Sequence, residues 1–286
     1  MVARSSSPRL ARRPNKAQGA SSKEEGEGKP SPFSVPGCSF LLPPSSFLLY
    51  TIFMSDNNIH NEGEFTKADI HQGEIDKHID RITHEFREGF EFLKAYPKSV
   101  TIFGSSLVKN DFESYKNAEL LGGRISREIG YAVMTGGGPG IMEAANKGAY
   151  DADGMSLGLN ISLPHEHITN AYVRHSLKFS YFFARKTMLM FASEAYVFFP
   201  GGFGTFDELF SVLVLIQTGK IPRVPVILFD SKFWDPFKKF VIDSMEKSYD
   251  AIDPKDLNLF EITDSLDRAI EIIKKAPVSE WWRNIN

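Results

Sequence analysis

Short apolar segments rich in β-branched and aromatic residues alternate with amphipathic stretches over most of this 286-residue chain. Near-continuous apolar strands separated by helices are typical of parallel β-sheets that helices cover on both faces. We therefore predict an α/β fold with one doubly wound parallel sheet and no second sheet domain. The predicted strands are 100–103, 132–134, 156–162, 195–199, 224–229 and 260–263, and the predicted helices are 111–129, 140–150, 181–192, 205–218, 232–248 and 264–275.

An amphipathic helix is predicted ahead of this sheet. Apolar residues recur at steps of three and four from Ile75 to Leu93, and the helix is expected to end near Pro97. Such an apolar face needs a surface to cover. The chain is therefore divided into a tail of residues 1–53, a segment of residues 54–98 that holds this helix, and the sheet domain of residues 99–286.

The first 53 residues differ from the rest in composition, since they hold 10 Ser, 7 Pro and 4 Gly and carry a net charge of +4. Residues 38–53 are apolar, but this run is too short for a membrane span of ~20 residues, and Pro43-Pro44 interrupts it. We predict that the functional chain begins at Met54 and that residues 1–53 are either a disordered extension or an upstream translation artefact outside the natural chain.

The remainder of the chain is acidic and contains no thiol. Residues 54–286 carry a net charge of −7, which gives no bias toward nucleic acid. Because Cys38 is the only cysteine, disulfides, cysteine zinc sites and cysteine nucleophiles are excluded from residues 54–286. We expect a cytoplasmic protein that binds neither nucleic acid nor membranes.

Two glycine-rich turns follow predicted strands, at residues 135–143 (TGGGPGIME) and 200–208 (PGGFGTFDE). Glycine lets the backbone approach a ligand closely, and the helix N-terminus that follows attracts anions. Neither turn matches the GxxxxGK[ST] or the GxGxxG pattern. A single turn of this kind is more often only a tight turn, but two in one sheet predict a small phosphorylated ligand held by backbone amides.

Glu208 has two interpretations. Thr205 and Glu208 have the spacing of a capping box, in which the carboxylate serves only the start of a helix. The local sequence favours that interpretation. The alternative is chemistry on a sugar attached to the phosphate, because Glu208 lies one turn beyond the second glycine-rich turn.

The motifs PGGFGTFDE, Gly136 to Gly140 and Phe183-Ala184-Arg185-Lys186 together resemble the LOG family, the cytokinin riboside 5′-monophosphate phosphoribohydrolases, which are often labelled lysine decarboxylases. The likeness runs from about Ser99 to Ile273 and is strongest to the longer bacterial branch. It implies a Rossmann-like homodimer that hydrolyses the N-glycosidic bond of a nucleoside 5′-monophosphate. It implies neither a metal nor an organic cofactor.

The resemblance also assigns roles to residues of this chain. It implies that Arg185 and Glu208 are catalytic. Where family members often have threonine this chain has Val214, so the resemblance does not supply the polar substrate contact of that threonine. Glu143 stands where the plant-type enzymes usually have glycine, so we expect a differently shaped pocket. The residues implied to bind phosphate or substrate are Ser105, Gly136, Gly137, Gly138, Gly140, Lys186, Gly201, Gly202, Gly204 and Thr205.

Several alternatives stay open. A non-catalytic carrier or sensor of a nucleotide-like ligand could use the same sheet, although a carrier would not need both Arg185 and Glu208. A metal site at His165-Glu166-His167 is disfavoured because no third ligand follows at a recognisable spacing. Trp281-Trp282 could form a partner surface or pack back on the domain. The sequence does not decide which base is preferred.

Overall fold

The computed structural model describes residues 72–162, 169–191 and 193–277, all of which lie in one compact unit, Asn57–Asn286. Five features predicted from the sequence lie outside these residues. They are the tail of residues 1–53, the start at Met54 with the polar segment after it, Cys38, His165-Glu166-His167 and Trp281-Trp282.

Helices and strands alternate along the described chain, as predicted. After the N-terminal helix α1, six of the seven parallel strands are each followed, within the described ranges, by a helix that packs on the sheet. The helices are α1 (Gln72–Ala95), α2 (Glu113–Arg124, continued as a π-helix over Ile125–Ile129), α3 (Ile141–Asp151), α4 (Phe182–Phe191), α5 (Phe203–Gln217), α6 (Ser231–Phe240, continued as a π-helix over Val241–Ser248) and α7 (Leu266–Lys274), with a 3₁₀ turn at Pro254–Asn258. The strands are β1 (Ser99–Phe103), β2 (Ala132–Thr135), β3 (Ser156–Ile161), β4 (His175–Phe179), β5 (Ala195–Phe198), β6 (Val226–Phe229) and β7 (Glu261–Thr263).

Within the described ranges, seven parallel strands form one sheet in the order β4-β3-β2-β1-β5-β6-β7. The chain moves outward in one direction from β1 to β4, and then restarts on the other side of β1 with β5. This reversal is a topological switch point, where the turns after β1 and β5 diverge and leave a crevice. The predicted doubly wound α/β fold is confirmed, and its switch point indicates where a ligand would bind.

Different helices cover the two faces of the sheet. Alternate residues of each strand point to opposite faces, so one strand contributes to two separate buried clusters. Ile102, Val133 and Val197 belong to one buried cluster, together with residues of α2, α3 and α7. Met134 and Phe198 belong to the other, which includes residues of α4, α5 and α6. These apolar faces explain why the strands were visible as near-continuous apolar runs.

Two differences from the predicted elements concern strand β4 and the start of helix α5. β4 (His175–Phe179) was not predicted, because it is an edge strand of sequence HSLKF whose residues are mostly exposed or half-buried. Helix α5 begins at Phe203 rather than at residue 205. The first difference leaves the site unchanged, whereas the second changes the interpretation of Glu208.

The predicted amphipathic helix is α1, and the surface that it covers is formed mainly by α4 and β4. Gly89 permits close packing, since a Cβ atom there would lie 2.6 Å from Cγ of Met188. Among the helices in the described ranges, none has the length and apolar character needed to cross a membrane.

Candidate active site

A cavity of about 290 Å³ opens at the carboxyl ends of β1, β2 and β5, beside the switch point of the sheet. The turns after these three strands form most of its wall, and α4 and the first turns of α5 complete it. The lining residues are Phe103, Gly104, Ser105, Ser106, Leu107, Gly136, Met142, Arg185, Gly202, Gly204, Thr205 and Glu208. Seven of the residues that the sequence predicted for the site, including both predicted catalytic residues, therefore face one cavity.

The three turns are joined to one another by backbone hydrogen bonds. The Ser105 N–H donates to the carbonyl of Pro200 at 3.0 Å, and the Ile141 N–H donates to the carbonyl of Ser105 at 3.0 Å. Gly140 has φ +70°, and a Cβ atom there would lie 2.4 Å from the Ser105 carbonyl oxygen. Gly140 is therefore required for the turns to meet, although it does not line the cavity.

Arg185 lies directly against the first glycine-rich turn. Its Nε donates to the Leu159 carbonyl at 2.7 Å, which directs the guanidinium across the carboxyl edge of the sheet. Its Nη2 is only 2.1 Å from the point where a Cβ atom on Gly136 would lie. Because residue 136 has no Cβ atom, the guanidinium of Arg185 has room to lie beside it.

Glu208 does not cap a helix. The N-cap of α5 is Gly202, and no side chain caps this helix, so Thr205 and Glu208 both lie inside it. The capping-box interpretation that the local sequence favoured is wrong, because the helix starts two residues before the residue that was taken as its cap. Glu208 instead lines the cavity from the second turn of α5.

The electrostatic surroundings of Glu208 combine burial with a nearby cation. Burial raises the pKa of Glu208 above its ordinary value, and the charge of Arg185 acts in the opposite direction. Burial also lowers the pKa of Arg185, while Glu208 opposes that change. The adjacent carboxylate, Asp207, is exposed and pairs with Lys186 at 2.6 Å. Of the two neighbouring carboxylates, Glu208 is therefore the half-buried one, and the positive charge of Arg185 acts on it.

The glycines of the second turn serve different purposes. A Cβ atom on Gly201 would lie 2.0 Å from Oγ1 of Thr205, so this position must be glycine for Thr205 to pack against it. A Cβ atom on Gly202 or Gly204 would meet nothing within 4 Å. Both of these residues line the cavity and neither has positive φ. In the free protein no contact requires glycine at 202 or 204, which is the pattern expected where a ligand approaches the backbone.

The first glycine-rich turn is held from behind by a buried polar network that the sequence analysis missed. Asn170 donates its backbone N–H to the Gly137 carbonyl at 2.9 Å and its side-chain amide to the Gly138 carbonyl at 3.0 Å. The same amide reaches Oδ1 of Asn146, which also accepts from Oγ1 of Thr135 at 2.6 Å. A buried asparagine in the alanine-rich helix α3 is the sequence signal that could have indicated this network.

Several predicted residues do not line the cavity. Gly137 and Gly138 lie behind it, where they contact the asparagine network. Lys186 and Val214 instead line a second groove of about 570 Å³ between α4 and α5. Glu143 accepts a hydrogen bond from the Tyr115 hydroxyl at 3.1 Å and is not among the residues that line the cavity.

The described residues hold no cluster of three or more His, Cys, Asp or Glu side chains that could bind a metal ion. Of the described residues that line the cavity, none is a lysine. The polar groups available in the cavity are therefore a carboxylate, a guanidinium, hydroxyls and backbone amides.

Comparison with known proteins finds similarity to the family that the motifs resemble. Residues 142–273 match the family model described as "possible lysine decarboxylase". A cytokinin riboside 5′-monophosphate phosphoribohydrolase of Rhodococcoides fascians is 27% identical over 152 residues, covering 51% of this chain and 74% of that protein. The protein named LOG5 of Arabidopsis thaliana, with the same activity in its name, is 27% identical over 189 residues, covering 65% and 79%. These matches confirm the family resemblance that the motifs predict.

Solved structures also show similarity. The X-ray structure of TM1055 is 26% identical with a TM-score of 0.48, and the alignment covers 62% of this chain and 99% of that one. A molybdenum cofactor carrier protein of Chlamydomonas reinhardtii is 22% identical with a TM-score of 0.47, and the alignment covers 63% and 97%.

Proposed function

We propose that this chain, a relative of the LOG phosphoribohydrolases, hydrolyses the N-glycosidic bond of nucleoside 5′-monophosphates to give a free base and ribose 5-phosphate. The observation that carries the proposal is the arrangement of Glu208 and Arg185 around one cavity that also contains the N-terminus of α5. As the resemblance implies, the proposed enzyme is a homodimer that uses neither a metal nor an organic cofactor, and we propose that it is cytoplasmic.

The 5′-phosphate is assigned to the N-terminus of α5. The first amides of a helix have no partner within the helix, and the helix dipole places partial positive charge there. Gly202 and Gly204 leave this backbone open to the cavity, and Thr205 adds a hydroxyl. Local donors of this kind are what an acidic chain requires in order to bind an anion.

The sugar is assigned to the space between the phosphate and Glu208. When the C1′–N bond breaks, its electron pair leaves with the base and positive charge develops on the sugar, which an ionised carboxylate stabilises. Glu208 also accepts a proton from the water whose oxygen forms the new bond to C1′. That proton then goes to the departing base, so the carboxylate is regenerated and no other reactant is needed.

Arg185 keeps this carboxylate in its working state. Burial favours protonated Glu208 and raises its pKa, and the guanidinium of Arg185 offsets part of that effect. The hydrogen bond from Arg185 to the Leu159 carbonyl leaves the other guanidinium nitrogens directed at the cavity edge, where ribose or phosphate oxygens can accept from them.

The test of the proposed function is incubation with AMP, GMP, other 5′-monophosphates and isopentenyladenosine monophosphate, followed by chromatographic detection of free base. We expect base release from at least one monophosphate and far less from the matching nucleoside, because the nucleoside lacks the phosphate. Tight binding of a monophosphate without release of any base would contradict the proposal and favour a carrier. The same panel identifies the preferred base.

Gly204→Ala separates the stability of the chain from ligand binding. Alanine in a helix is favoured over glycine by about 1 kcal/mol, and a Cβ atom at this position meets no protein atom. We expect the free energy of unfolding to stay the same or to increase, while KM for the monophosphate rises because the methyl group faces the proposed phosphate site. Thermal unfolding and steady-state kinetics measure the two effects. If the variant is stabilised and its KM is unchanged, the 5′-phosphate does not bind at this end of α5.

The proposed homodimer has a candidate surface in the second groove. This groove lies between α4 and α5 and is lined largely by apolar residues, among them Met190, Phe191 and Phe210. Phe210 and Val214 are 39% and 51% exposed in the single chain. An exposed apolar groove of this kind is typical of a surface that another protein covers.

A further inference from the structure

Helix α1 packs against the helix that carries Arg185. Phe86 of α1 contacts the ring of Phe183 on α4, with 6.4 Å between the ring centroids. Gly89 lies so close to α4 that a Cβ atom would be 2.6 Å from Met188. The N-terminal helix is therefore in direct contact with the residues on either side of Arg185 in α4.

Glu85 is the buried acidic residue of this contact. Only 6% of its surface is exposed, although most of the polar residues of α1 face solvent. Its Oε1 accepts from the Ser180 N–H at 2.7 Å, and its Oε2 accepts from the Tyr181 N–H at 3.3 Å. A buried carboxylate is tolerated when its oxygens are hydrogen-bonded, and it is favoured beside the positive end of a helix. Both amides immediately precede α4, which begins at Phe182.

The contact continues from Glu85 to Arg185 through the backbone. The Arg185 N–H donates to the Tyr181 carbonyl at 3.1 Å, so the residue whose amide Glu85 binds also forms the first turn beneath Arg185. The Tyr181 side chain is fixed as well, because its hydroxyl lies 2.5 Å from Nδ1 of His78 on α1. α1 thus holds the start of α4 by backbone and side chain together.

We propose that Glu85 is a positioning residue for the reaction: it fixes the start of α4, and thereby the placement of the Arg185 guanidinium in the cavity with Glu208. The inference rests on the proposed function and extends it to a helix that has no residue in the cavity wall. Its physical basis is that the Arg185 guanidinium occupies a narrow space against Gly136 and the Leu159 carbonyl, so a shift of α4 changes its distance from Glu208.

The test compares Glu85→Ala, Glu85→Gln and the control Glu88→Ala, all in the full chain. Glu88 lies on the exposed face of α1, where it pairs with His84. We expect Glu85→Ala to lower kcat for the preferred monophosphate roughly 10- to 100-fold, as small misplacements of catalytic groups do, with a smaller change in KM. Glu85→Gln should recover part of this loss, because its amide oxygen still accepts one hydrogen bond. Glu88→Ala should behave as the unaltered chain.

A second readout does not depend on activity. The carboxyl carbon of Glu208 is titrated by NMR, with its signal assigned through the Glu208→Gln variant. The charged groups that act on Glu208 are Arg185, Asp207 and Lys186. If Glu85→Ala displaces Arg185, the pKa of Glu208 rises, because the nearby positive charge is lost while burial remains.

The outcomes separate the two proposals. Absence of base release by the unaltered chain counts against the proposed function, whereas the titration still tests the role of Glu85. A folded Glu85→Ala chain whose Glu208 titrates as in the unaltered chain overturns the positioning role, even if its melting temperature is lower. If the substitution prevents folding, the same comparison is made with Glu85→Gln, for which an unchanged titration and unchanged kcat are the contradicting results.

Discussion

Glu208→Gln is expected to reduce base release by ~100-fold or more, in the range usual for removal of a general base, while monophosphate binding is retained. Glutamine keeps the size of the side chain but can neither accept a proton from water nor supply the negative charge that stabilises the sugar. The fold should persist, because Glu208 lies inside α5 and does not cap it. Single-turnover base release and equilibrium binding of the monophosphate measure the two effects.

The control for this variant is Glu113→Gln. Glu113 is an exposed carboxylate in the first turn of α2, outside the cavity wall. The Glu113→Gln substitution removes one negative charge from the chain, as Glu208→Gln does, so any general effect of net charge appears in both variants. Turnover by Glu208→Gln close to that of Glu113→Gln would exclude Glu208 from the chemistry.

Gly136→Ala is expected to lower turnover about 100-fold by moving Arg185, a magnitude usual for misplacement of a catalytic group. The new methyl group would lie 2.1 Å from Nη2 of Arg185 and 2.8 Å from Sδ of Met142. Both are atoms of flexible side chains, and Gly136 does not have positive φ, so the fold can accommodate alanine whereas the guanidinium cannot stay in place. Steady-state kinetics and a melting curve close to that of the unaltered chain test this expectation.

A double-mutant cycle shows whether the effect passes through Arg185. If it does, adding Gly136→Ala to Arg185→Ala costs little further activity, because the group that the methyl would displace is already gone. Multiplicative losses in the double variant would instead assign Gly136 a role of its own, such as direct approach of its backbone to the ligand.

The general architecture could be predicted from the sequence because each central strand is buried on both faces. Strands such as β1 (SVTIF) and β5 (AYVF) consist almost entirely of residues that a covered sheet requires. The edge strand β4 was missed for the same reason, since its HSLKF sequence is mostly exposed or half-buried and therefore lacks that signal.

The glycine-rich turns could also be located in the sequence, but their individual roles could not. Gly140 is needed because its neighbour is the Ser105 carbonyl, Gly201 because Thr205 packs on it, and Gly136 because Arg185 lies beside it. Ser105 and Arg185 are distant in the chain from the glycines that they contact. Thr205 is near Gly201 in the chain, but its position depends on the start of α5, which was predicted at the wrong residue. Among the glycines of the two turns, only Gly202 and Gly204 have no protein atom within 4 Å of an added Cβ atom, and this distinction exists only in three dimensions.

The sequence by itself determined the α/β class, the positions of the two glycine-rich turns and the family resemblance that pointed to Arg185 and Glu208. These properties depend on local composition and on short motifs, which can be identified from neighbouring residues of the sequence. Only the tertiary structure decided that α5 starts at Phe203, that Glu208 therefore faces a cavity with Arg185, and that α1 holds the start of α4 through Glu85. The physical reason is that each of these facts depends on the arrangement of turns and helices around the sheet, and the pairing of its strands sets that arrangement.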